Sequence, residues 1–285
     1  MRARLLALVA LLAACTPPPG PTLPTPTVDP RGATDPVNQL AVPALRAHAA
    51  TILADLVRSL PADRRARVTG VMLLHDNALG EVNAYATCAR DATPIVAISD
   101  GLLLIAAHLA QTTATDERFA THQKSDYLAW LHAHDRRAPP PGFYLAAYRD
   151  DHEKLLRQRE VFDEQVAFIV GHELAHHYLG HLGCDGKLDP VVHVADGVPL
   201  FDQATELAAD IAAVKNLLTA GHDRPGYAWT EGGALLVLAA FHHRTPRALE
   251  TILTAFNRTH PLPALRMPLI TTTADLWRVT GELPL

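Results

Sequence analysis

Three things are scarce in this 285-residue chain. There are only 3 cysteines, which excludes the disulfide-dense scaffolds of small secreted domains. Aromatic residues make up 6%, so a core has to come from aliphatic side chains and the abundant alanine, which favours helices. Beyond the first apolar stretch, Leu5 to Ala14, no run approaches the ~20 residues that a membrane-spanning helix needs. Clustered basic residues are missing too. Lys and Arg number 25 against 30 Asp and Glu, a net charge of -5, and nothing resembles a nucleic-acid footprint. With 48% hydrophobic residues the chain is globular, not disordered.

The N-terminus reads as an export signal. Arg2 and Arg4 precede the Leu5–Ala14 run, about half a membrane span, as in the hydrophobic region of a secretory signal peptide. Leu12-Ala13-Ala14-Cys15 resembles a bacterial lipobox, which implies a signal peptide over 1–14 and lipidation of Cys15. An ordinary signal peptide cut near Ala14 is the plainer alternative. Residues 16–30 carry seven prolines and read as a semi-extended tether, placed here over 15–37, with one domain over 38–285. Thr16 is not the aspartate that often retains lipoproteins in the inner membrane. The expected location is therefore the bacterial cell envelope, on the periplasmic side of the outer membrane.

Periodicity predicts a helix over 38–60 with Leu45, Ile52, Leu53, Leu56 and Leu60 along one face. Strands are expected at 68–74, 81–87 and 94–99, forming a small antiparallel sheet. A helix starts at 101–110. The polar stretch 112–142 is read as an insertion, partly helical around Tyr127–Leu131. Helices are expected over 150–182 and 202–218, with more in the C-terminal third. The fold class is α+β, mostly helical.

The densest chemistry is "GHELAHHYLGH", residues 171–181. On a helix, i and i+4 lie about 40° apart, so His172 and His176 can converge on one ion. Glu173 beside them completes the His-Glu-x-x-His pattern of two zinc ligands and a general base. His177 and His181 lie about 140° and about 180° from His172 while the helix continues, and read as solvated or locally bonded side chains. The metzincin extension fails, because its glycine and histidine positions are Leu179 and Leu182. The next glutamate, Glu206 in "ATELAAD", is the expected third zinc ligand. Asp210, one turn on, is placed to orient a histidine ligand.

In this company the chain resembles the gluzincin endopeptidases of the HtpX and CAAX-prenyl-protease type, peptidase family M-48. The resemblance rests on "VNAYA", "IVAISDGLL", "EQVAFIVGHELAHHYLGH", "TELAADIAA" and "THPLPALR", in that order. It implies a zincin-like domain and one Zn2+ per chain, with polypeptide substrates paired along a strand edge at Asn83, Ala84 and Tyr85. It also implies a catalytic role for His260 and a supporting one for Arg266. The membrane helices of those enzymes are absent, which points to a soluble branch tethered by lipid. The expected function is hydrolysis of peptide bonds in unfolded or misassembled envelope proteins. A zinc-binding envelope chaperone or assembly factor with little proteolysis stays open beside it. Cys88 and Cys184 are left as an even pair: either a disulfide or two separate buried thiols.

Overall fold

The computed structural model describes residues 23–78, 80–134, 138–184, 193–195, 198–200, 202–222, 224, 226–242 and 263–281. Mostly helical, with a small mixed sheet, the fold is α+β. Its centre is one helix, α6 (His152–Tyr178), which is buried without interruption from Val161 to Tyr178. A helix buried all round must satisfy each of its polar groups inside the protein. Asp163 bonds His48 at 2.5 Å and accepts from the Tyr227 hydroxyl at 2.9 Å. Glu164 accepts from the backbone and hydroxyl of Thr230. Gln165 donates to the Ala106 carbonyl at 3.1 Å. Further along the same helix come His172, Glu173, His176 and His177.

Six described helices pack on α6: α1 (Val42–Ser59), α2 (Ala62–Arg67), α3 (Asp100–Phe119), α5 (Ala146–Arg149), α7 (Gln203–His222) and α8 (Gly232–His242). The last helix, α9 (Pro263–Thr280), packs on α7 and α8. Helix α8 comes very close: a Cβ on Gly233 would sit 2.4 Å from the Glu164 carbonyl carbon, so only glycine fits there. On α1 the residues named from periodicity are buried, from Leu45 to Leu56, and Leu60 closes the helix at its C-cap.

Strands β1 (Met72–Asp76), β2 (Ala84–Cys88) and β3 (Pro94–Ser99) lie in the order β1-β3-β2. The sheet is mixed, not antiparallel as expected. A short turn over 89–93 folds β2 back against β3, so only the far edge of β3 is left for β1, which runs parallel to it. The chain between β1 and β2 crosses the C-terminal end of β3. There the Ser99 hydroxyl accepts from Asn83 N at 2.9 Å and caps α3 through Leu102 N at 3.2 Å. The expected strand at 68–74 begins later. Val68 caps α2, and Gly70 turns at φ +76° before β1 starts. A second hairpin, β4 (His193–Ala195) and β5 (Val198–Leu200), lies beside β2.

Two boundaries move. Helix α3 continues to Phe119, with Thr112, Thr113, Ala114 and Thr115 buried, so the segment read as a polar insertion begins as core. Helix α4 (Gln123–Ala133) follows, burying Tyr127 and Leu131 against α3 and α8. At the other end, part of the expected tether belongs to the fold. Thr27 N bonds the Asp151 carboxylate at 2.8 Å, and Asp29 N bonds the Asp150 carbonyl at 2.7 Å. Asp35 is buried and accepts from Gln158 at 2.8 Å. No described helix is long and apolar enough to cross a membrane.

Candidate metal centre

Helix α6 places His172 and His176 one turn apart, facing the first turn of α7, which carries Glu206. The two Nε2 atoms are 3.3 Å apart. Glu206 offers Oε2 at 3.1 Å from His172 Nε2 and Oε1 at 3.4 Å from His176 Nε2. Donors bound at about 2.0–2.1 Å to a tetrahedral zinc ion stand about 3.3 Å from one another. Two imidazoles and a carboxylate at these separations fit zinc in both chemistry and spacing. All three side chains are buried.

The charge balance points the same way. Asp210, also on α7, is paired with Arg266 of α9 through two bonds, Nε to Oδ2 at 2.7 Å and Nη2 to Oδ1 at 2.6 Å. That pair is buried at 0% and 1% exposure, and Glu206 and Glu173 also favour the Arg266 charge. Burial disfavours the charged form of His172, but Glu206 and Asp210 together raise its pKa to about 10. Burial holds His176 neutral, with its pKa lowered to about 3. Burial also pushes the Asp210 carboxyl up, yet Arg266 and His172 overcome this and hold it at about 2. A metal ion would take the place of the His172 proton, as zinc sites require.

Each of these two histidines is held through its second nitrogen. His172 Nδ1 lies 2.9 Å from Asp210 Oδ1, the orienting contact expected for Asp210, with Arg266 behind it. His176 Nδ1 lies 3.1 Å from Nδ1 of His181. A His176 that ligates through Nε2 carries its proton on Nδ1 and donates it to His181. This contact was missed in the sequence, because the projection assumed an unbroken helix. Helix α6 stops at Tyr178, and Gly180 adopts φ +81°. Gly180 N bonds the His177 carbonyl at 3.1 Å and His181 N the His176 carbonyl at 2.9 Å, which is a Schellman motif. The motif turns His181 back over His176, and Gly180 was its signal in the sequence. His181→Ala, silent by the helical projection, is therefore expected to weaken zinc binding by about tenfold, read by competition with a chromophoric chelator. Unchanged affinity would remove His181 from the site.

Glu173 is buried beside His172. His177 faces away from the pair: its Nε2 lies 3.0 Å from the Ile95 carbonyl oxygen. It is buried rather than solvated. Cys88, at the end of β2, and Cys184, just past α6, are joined by a disulfide across 96 residues, with Cα atoms 5.5 Å apart. Asn83 precedes β2 rather than lying within it, and spends both backbone groups on Ser99. Its backbone is thus already paired within the fold. Ala84 and Tyr85 are in β2, an edge strand of its sheet that β5 contacts. His260 and Cys15 lie outside the described residues. Comparison with protein-family models, curated proteins and solved structures finds no match to this chain.

Proposed function

We propose that this chain is a zinc-dependent endopeptidase with a zincin-like fold of the gluzincin type, held in the cell envelope by lipid on Cys15. Its substrates would be unfolded or misassembled envelope proteins. The observation that carries this reading is the convergence of His172, His176 and Glu206 at separations of 3.1–3.4 Å, next to a buried glutamate.

His172, His176 and Glu206 would hold the ion. Bound zinc would polarise a substrate carbonyl and lower the pKa of a water molecule to about 7. The carboxylate of Glu173 accepts a proton from the attacking water and returns it to the departing amine nitrogen. Asp210 keeps the His172 ring in place and Arg266 keeps Asp210 ionised. His181 does for His176 what Asp210 does for His172.

The test is incubation of the zinc-loaded protein with casein and with an unfolded outer-membrane protein. Cleavage that a chelator stops and added zinc restores is the expected result. Glu206→Ala should lower zinc content and cleavage together, because it removes a ligand. Full zinc content without cleavage of either substrate would favour a chaperone instead. Full zinc occupancy in Glu206→Ala would show that the third ligand lies elsewhere.

A further inference from the structure

On another face of α6, a second set of ligand atoms has gathered. The sulfurs of Cys88 and Cys184 and a ring nitrogen of His177 lie within 4.8 Å of one another. The His177 ring is fixed by the Ile95 carbonyl, 3.0 Å from Nε2. A carbonyl only accepts, so Nε2 carries the ring proton and Nδ1 keeps its lone pair. Nδ1 lies 3.5 Å from the Cys184 sulfur. A disulfide requires no imidazole lone pair beside it. A metal site does, and a backbone carbonyl on the far ring nitrogen is the usual way to orient such a ligand. His177 is buried while both cysteines are half-buried.

We propose that Cys88, Cys184 and His177 form a cross-link with two chemical forms. In the oxidised form it is the disulfide. In the reduced form it is a site for a thiophilic divalent cation of the zinc class, tying β2 to the end of α6. A two-electron reductant, a dithiol in the envelope, breaks the S–S bond and supplies two protons to give two thiols. The dithiol closes into its own disulfide. The cation then displaces both thiol protons to solvent, forming two metal–thiolate bonds and one bond to His177 Nδ1, with water in the fourth position. Thiolate and imidazole donors select zinc-class ions over magnesium or calcium.

The experiment counts cobalt, a coloured stand-in for zinc, bound to the full chain before and after reduction by a phosphine. Reduction is expected to add about one ion per chain, with thiolate-to-cobalt charge-transfer absorption. The thermal midpoint lost on reduction should recover on adding zinc. His177→Gln keeps both cysteines, so it folds with the disulfide in place before reduction. After reduction it should bind the added ion at least about tenfold more weakly. Cys88→Ser combined with Cys184→Ser should abolish the absorption. The proposal is overturned by no added ion on reduction, by absorption that survives the double serine variant, or by undiminished affinity in His177→Gln. Metal in the oxidised protein reports the His172 centre alone, so either site can fail without the other.

Discussion

Glu173→Gln is expected to lower peptide hydrolysis by about 10²–10⁴ while zinc content and thermal stability stay as in the parent. The amide has nearly the volume of the carboxylate, and Glu173 is buried at 3% exposure, so packing is kept. None of the three converging donor atoms comes from Glu173, so the ion is retained. What is lost is the group that accepts a proton from water. The measurements are metal content by elemental analysis, a melting curve, and turnover of a quenched-fluorescence peptide. A zinc-loaded variant with undiminished turnover would show that another residue is the base.

Arg266→Met is expected to destabilise the fold by about 3–5 kcal/mol and to lower zinc content with it. The substitution leaves the Asp210 carboxylate fully buried without the guanidinium that holds it through two bonds. Replacing both charges avoids that penalty. Asp210→Asn with Arg266→Met should therefore be more stable than the sum of the single variants predicts. Unfolding in urea gives the stabilities, and metal analysis the occupancy. Additive effects, or a single variant within about 0.5 kcal/mol of the parent, would mean that the pair contributes little.

The convergence of His172, His176 and Glu206 was legible because its signal is local. His172 and His176 are related by one helical turn, and Glu206 sits on the next strongly helical segment. Asp210 follows from the same turn-by-turn spacing. Arg266 needed the family resemblance, since nothing in its own surroundings marks a side chain that reaches across from the last helix. The strand order was not legible, since it depends on which edge of β3 remains free. Helix α3 was cut short because threonines read as polar. In the fold they are buried, and two of the three hydroxyls bond back to the helix: Thr112 to the His108 carbonyl at 3.0 Å and Thr115 to the Gln111 carbonyl at 2.7 Å. The start of the fold was placed late for a related reason. A proline- and threonine-rich sequence offers few apolar contacts, yet its backbone still docks on the N-terminus of α6.

The seclusion of α6 has a kinetic consequence. Backbone amides in a helix buried on every side exchange with solvent only when most of the domain opens. His172 and His176 thus sit on a stretch expected to exchange slowly. Glu206 does not. It lies in the first turn of α7, and its N–H makes the first i→i−4 bond of that helix, to the Asp202 carbonyl at 3.1 Å. The proposed ion would have two donors on that secluded helix and the third, Glu206, near a helix end, where fraying of a single turn would release it. Its residence time would then be set by the end of one helix, not by the stability of the protein around it.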